Sequence, residues 1–256
     1  MDSEHPLLIK QILTKSSVMS FSQEIVSNPN VRLNYQEFTG RLGRLANSLT
    51  AKGISEKMRV GVMDWDTHRY LEYFFAVPMM GAALHTINVR LSPKQVLYTI
   101  NHAKPDLIIV HQDFMPLIEE IKSDFECEII IIPIGYGEKY EEWISRSSTS
   151  FNFPEFDENR TATLFYTTGT TGDPKGVSYS HRQLVLHTLG LLAGFGAFSG
   201  NSGLHRDDVY MPLTPLFHVH GWGFPYAATM LGLRQVYPNR YDPETILRLI
   251  DSEAVT

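Results

Sequence analysis

The stretch YTTGTTGDPKG, from Tyr166 to Gly176, sets threonine hydroxyls, glycines and one lysine close together with almost nothing able to build a core. That mixture suits an anion. Gly169 and Gly172 let the backbone bend tightly around phosphate oxygens, the hydroxyls of Thr167, Thr168, Thr170 and Thr171 donate to them, and Lys175 adds positive charge. A plain Gly/Thr surface turn has the same composition, so order matters more than content. Three better-known glycine motifs fail on order. A P-loop needs glycine where Pro174 stands and Ser or Thr where Gly176 stands, GVSYS puts Ser180 at the second glycine of a nucleophile elbow, and no G-x-G-x-x-G is present.

The apolar run TATLF, Thr161 to Phe165, precedes the stretch and reads as a strand, which makes the glycine-rich segment a loop at a strand end. Upstream, strand and helix signals alternate. YQEFTGRLGRLANSLTAKG is a helix closed by Gly53, RVGVMDW a strand, RYLEYFFAVPMMGAAL an apolar helix and SPKQVLYTINHAK a helix with Ser92 as N-cap and Pro93 in its first turn. PDLIIV, FMPLIEEIKSDF and CEIIIIP continue the series as strand, helix and strand. The expected fold is α/β, with mostly parallel sheets flanked by helices. Residues 1–145 read as an N-terminal α/β subdomain, the polar, aperiodic 146–160 as a connection and 161–256 as the start of a second α/β subdomain. In that second half a buried helix begins near Arg182, DVYMPLT and RQVYP are strands, and DPETILRLIDSE is a helix capped by Asp242. The last residues, AVT, look like the start of another strand, as though the sequence were cut inside a larger protein.

A chain of 256 residues, 43% hydrophobic, carries ample core, and its formal charge of −6 argues against nucleic acid as a partner. The apolar run from Leu184 to Phe198 is too short for a membrane span and contains His187 and three glycines. The single cysteine, Cys127, excludes an internal disulfide and is expected to fill a strand. With no secretory signal at the start, the expected compartment is the cytoplasm.

YTTGTTGDPKG resembles the signature loop of the class I adenylate-forming (AMP-binding) enzymes, the superfamily of acyl-CoA synthetases, luciferases and peptide-synthetase adenylation domains. A second match lies downstream. PLTPLFHVHGWGFPYAATMLG resembles that superfamily's strand–loop–helix after the phosphate loop, and VPMMGAALHTINVRLSPKQVLYTINHAKPDLIIV is similar to the corresponding region of medium- and long-chain fatty acyl-CoA ligases. The resemblance implies the first part of the large N-terminal domain of such an enzyme. It assigns the β- and γ-phosphates of ATP to Thr167, Thr168, Gly169, Thr170, Thr171, Gly172 and Lys175, a Mg²⁺ contact to Thr167, and the acyl and adenylate pocket to His218 and Trp222, one helical turn further on. It implies ATP, Mg²⁺ and coenzyme A as cofactor and co-substrates and a fatty acid or related carboxylic acid as partner, and leaves a homodimer open. The superfamily's later motifs, which hold the ribose, the metal glutamate and the adenylation lysine, match nothing in this sequence, so the 256 residues alone are expected to be inactive. Two other readings stay open: a non-catalytic truncated homologue that binds or dimerises, and a metal hydrolase using His218 and His220.

Overall fold

The structure is a computed structural model, and it describes residues 5–13, 22–27, 30–135, 138–167, 172–197 and 203–256. Two sheets carry the described residues. The larger takes its strands from β3 (Arg59–Met63), β4 (Ala83–Thr86), β5 (Leu107–His111), β6 (Ile130–Ile134), β7 (Thr161–Thr167) and β8 (Lys175–Ser180), in the order β6-β5-β3-β4-β7-β8. Every pair in it is parallel except the final β7–β8 hairpin. The smaller sheet, β2-β1-β10-β9, joins β1 (Glu24–Ser27) and β2 (Val31–Asn34) to β9 (Val209–Tyr210) and β10 (Arg234–Tyr237). The α/β expectation holds, and the reason is visible in the strands: β3, β4 and β5 are almost wholly buried, as strands covered by helices on both faces must be.

The helices follow their caps. In α1 (Tyr35–Thr50) Asn34 and Glu37 form a reciprocal capping box, and in α3 (Pro93–Ala103) Ser92 and Gln95 do the same with Pro93 in the first turn. The helix α2 (His68–Met79) is buried on all sides. It ends at Met79, because Gly81 turns the chain with φ +79°, and the segment that follows is strand β4 rather than more helix. After α4 (Met115–Ile121) comes Cys127, which lies in a half-buried bend before β6 and so does not fill a strand. Polar as it looks, Glu138–Ser145 is a helix, α5, whose Tyr140 and Ile144 are buried.

The 146–160 connection does not separate two sheets. Strands β7 and β8, which follow it, complete the sheet of β3–β6, whereas β1 and β2, which lie far upstream, pair with the sheet of β9 and β10. The connection itself lies on α1: a Cβ at Gly43 would sit 2.0 Å from the Thr149 carbonyl oxygen. The remaining helices are α6 (His181–Gly196), α7 (Phe224–Leu231) and α8 (Pro243–Ser252), the last capped by Asp242 as its sequence predicts. Of α6, the first half buries Leu184, Val185 and Thr188 while Leu186 and Leu189 are exposed, so it is a half-exposed helix and not a buried one. No helix of the described residues is long and apolar enough to cross a membrane.

Candidate active site

The described residues on either side of the glycine-rich stretch belong to the antiparallel strands β7 and β8. Thr167 and Lys175 are cross-strand partners at its mouth, and the Thr167 hydroxyl lies 3.5 Å from the Lys175 carbonyl oxygen. Gly172 has φ +98° with open space where a Cβ would be. Lys175 is exposed and has no ion pair among the described residues, which leaves its charge available to an anion. Thr168, Gly169, Thr170 and Thr171 lie outside the described residues. The returning strand, Lys175–Ser180, was not legible as a strand in sequence, although Val177 and Tyr179 alternate as one requires.

The base of the hairpin is held from the side. Tyr166 shares a hydrogen bond of 2.6 Å between its hydroxyl and His102 Nδ1 on α3, and its ring lies against Gly176, where a Cβ would come within 3.3 Å. A larger residue at 176 would push that ring, and with it the loop stem, out of register.

From β8 the chain passes Ser180, which caps α6 through Gln183, and the two elements form one wall of a cavity of about 240 Å³. Tyr179, Leu184, His187 and Leu191 line this wall; Val219, His220, Trp222 and Phe224 line the other. Thus the strand that returns from the glycine-rich stretch and the downstream HVHGWG segment, separate in sequence, meet around one mainly apolar space, the strand through Tyr179.

That second wall is built on unusual backbone. From Val219 to Gly223 five successive residues have positive φ, between 46° and 76°, so the segment is a left-handed turn and not the right-handed turn expected between His218 and Trp222. Non-glycine residues in this region cost roughly 1–2 kcal/mol each, so tertiary contacts must hold it. His187 supplies one: its Nε2–H donates to the Trp222 carbonyl (3.1 Å). Trp222 is 61% exposed and borders both this cavity and a wider cleft lined by Leu213 and Tyr210. His218 is exposed at the start of the turn and does not line the 240 Å³ cavity.

The segment before His218 is anchored at two points. Asp66, after β3, accepts the Leu216 N–H with both carboxylate oxygens (3.1 and 3.2 Å) and also accepts the Tyr241 hydroxyl. Thr86 on β4 donates its hydroxyl to the Phe217 carbonyl (3.1 Å). Burial raises the Asp66 carboxyl to about 7, with Tyr241 and Leu216 opposing that rise. Sequence reasoning missed Asp66, since an acid after a strand announces nothing until its partners 150 and 175 residues away are brought to it.

His218 is exposed whereas His220 is buried. Burial lowers His220 to about 3, and among the described residues no group of three or more metal-ligating side chains occurs.

Comparison with known proteins matches residues 17–256 to the family described as AMP-binding enzyme. The chain is 38% identical to a long-chain-fatty-acid–CoA ligase of Thermus thermophilus, with all of this chain and 47% of that protein covered. It is 32% identical to a medium-chain-fatty-acid–CoA ligase of Ectopseudomonas oleovorans, covering 98% of this chain and 48% of the other. The fold is similar to that of a long-chain-fatty-acid-CoA ligase from Archaeoglobus fulgidus, with TM-score 0.86 at 20% identity over 99% of this chain and 51% of that one. The chain spans about half the length of the curated relatives it matches.

Proposed function

The chain belongs to the AMP-binding enzyme family, and on that footing we propose that the protein carrying it is a fatty acid–CoA ligase. A carboxylate oxygen of the acid attacks the α-phosphorus of ATP, the bond to the β-phosphate oxygen breaks, and pyrophosphate leaves with its electron pair. The acyl adenylate then passes its acyl group to the thiolate of coenzyme A and AMP departs. Two anions must approach each other in the first step, so the barrier is met by positioning and charge neutralisation without a covalent enzyme intermediate.

The observation that carries the reading is the continuity of β8, which runs from the Thr167–Lys175 mouth to the wall of the 240 Å³ apolar cavity. Lys175 and the segment Thr167–Gly172 take the pyrophosphate side, and the cavity takes the acyl chain, with Trp222 on its wall. His218, on the segment anchored by Asp66, borders the reacting carboxylate in this reading. The Thr167 hydroxyl is a hard oxygen of the kind Mg²⁺ accepts alongside phosphate oxygens, and bound there the ion would supply positive charge to the departing pyrophosphate. A cytoplasmic site of action belongs to the same proposal.

The test is fatty-acid-dependent exchange of labelled pyrophosphate into ATP by the full-length protein, without coenzyme A, over a series of chain lengths. Exchange that requires the acid is expected. Exchange absent at every length would overturn the ligase and favour a non-catalytic binding module.

A further inference from the structure

The Asp66 carboxyl holds the segment that leads into one wall of the 240 Å³ cavity. Its oxygens accept the Leu216 N–H and the Tyr241 hydroxyl, and the Asp66 carbonyl accepts the Asn239 N–H (2.9 Å). Leu216 is fully buried against the left-handed turn: a Cβ at Gly221 would lie 3.1 Å from its side chain, and the Gly221 N–H donates to the His218 carbonyl (3.0 Å). Release of the Leu216 N–H therefore takes a support from the turn on which Val219, His220 and Trp222 reach the cavity. The donors that meet this carboxyl are neutral. Arg69 is taken by both oxygens of Asp64, and the Arg90 guanidinium lies over the rings of Phe217 and Tyr241. Tyr70 on α2, Tyr210 on β9 and Tyr237 on β10 stand near with phenols that burial keeps un-ionised, and Asp64 adds charge of the same sign. A carboxylate here gives up its hydration for neutral partners alone, which destabilises the charged form.

We propose that the Asp66 junction is a proton-operated latch on the cavity wall: with its proton in place it holds the segment around Leu216 closed, and loss of that proton to solvent favours a local opening in which the carboxylate is hydrated. The inference does not depend on what the cavity takes. Closed, the carboxyl titrates at about 7; hydrated in the open segment, it returns to an ordinary 3.8. Below 3.8 both forms hold the proton. Between 3.8 and 7 only the closed form keeps it, so the opening equilibrium rises about tenfold with each pH unit and levels above 7. Neutral donors serve both states of the latch, because the Leu216 N–H and the Tyr241 hydroxyl can each meet a protonated or an ionised carboxyl, and the difference between the states is the cost of a dry charge.

The experiment follows amide hydrogen exchange in the full-length protein by mass spectrometry at about pH 5 to 8, with each rate divided by the chemical exchange rate at that pH. In wild type, protection of the peptide carrying Leu216 is expected to fall about a hundredfold over the two pH units below 7 and to level above 7, while amides of the sheet core, such as those of Val60 and Ile108, keep theirs. Asp66→Asn still accepts the Leu216 N–H and has no proton to lose, so it shows no such fall. Tyr241→Phe removes a donor that favours the charged carboxyl, so its fall continues past pH 7. Should Asp66→Asn fail to fold, the wild-type profile and Tyr241→Phe decide the matter. Four results would each overturn the latch: constant protection across the window in wild type, the same fall in Asp66→Asn, a fall shared by the core amides, or one in Tyr241→Phe that levels at or below pH 7.

Discussion

Replacing Asp66 by Asn changes how stability depends on pH. Asp66 is 1% exposed, and its carboxyl moves from an ordinary 3.8 to about 7, chiefly through burial. Below pH 3.8 the folded and unfolded chains both hold this proton. Between 3.8 and 7 the unfolded chain has lost it while the folded chain keeps it, so the stability contributed by the protonated group declines as pH rises and is gone above 7. At about 1.4 kcal/mol for each pH unit, the whole window is worth about 4 kcal/mol. Asn cannot titrate, yet its amide oxygen still accepts the Leu216 N–H and its amide nitrogen donates to the Tyr241 hydroxyl. Urea unfolding midpoints of the full-length protein, taken at half-unit steps from pH 4 to 8, should therefore show Asp66→Asn gaining on wild type through the window and levelling near 7. Parallel curves for the two proteins would refute the buried, proton-holding carboxyl.

A Cβ at Gly223, where φ is +76°, would lie 2.6 Å from the His187 ring, whereas one at Gly172 would meet nothing within 4 Å. Gly223→Ala should thus cost about 1–3 kcal/mol and Gly172→Ala about 1 kcal/mol in thermal unfolding; equal costs would mean that His187 does not brace the left-handed turn. Lys175→Ala should lower acyl-CoA formation by about ten- to a hundredfold at every acid length, while Trp222→Ala shifts the preference among lengths in the same assay. A changed profile in Lys175→Ala, or an unchanged one in Trp222→Ala, would place the two residues on the wrong sides of the reaction. Cys127 is half-buried outside any strand, so Cys127→Ala should leave turnover within a few-fold of wild type, and a hundredfold loss with the fold intact would make it more than a filler.

Local signals carried the elements whose causes are local. Ser92 with Pro93, and Asp242, mark helix starts because each cap is satisfied within three residues, and the glycine-rich loop follows a strand because TATLF leaves it nowhere else to be. Signals failed where distant contacts decide. Lys175–Ser180 is short and polar and becomes a strand only by pairing with β7, and α6 looked buried because its apolar residues run all round it. The left-handed turn from Val219 to Gly223 runs against the preferences of Val and Trp, so only its surroundings, including the His187 bond, select it. Asp66 became a site residue only when Leu216 and Tyr241 came to it.

The most direct measurement takes the full-length protein with ATP, a fatty acid and coenzyme A and counts the products by chromatography and mass spectrometry. A ligase of the proposed kind yields AMP, pyrophosphate and acyl-CoA in equal amounts, none of them without the acid. ADP and inorganic phosphate in place of AMP and pyrophosphate, or nucleotide turnover indifferent to the acid, would contradict it.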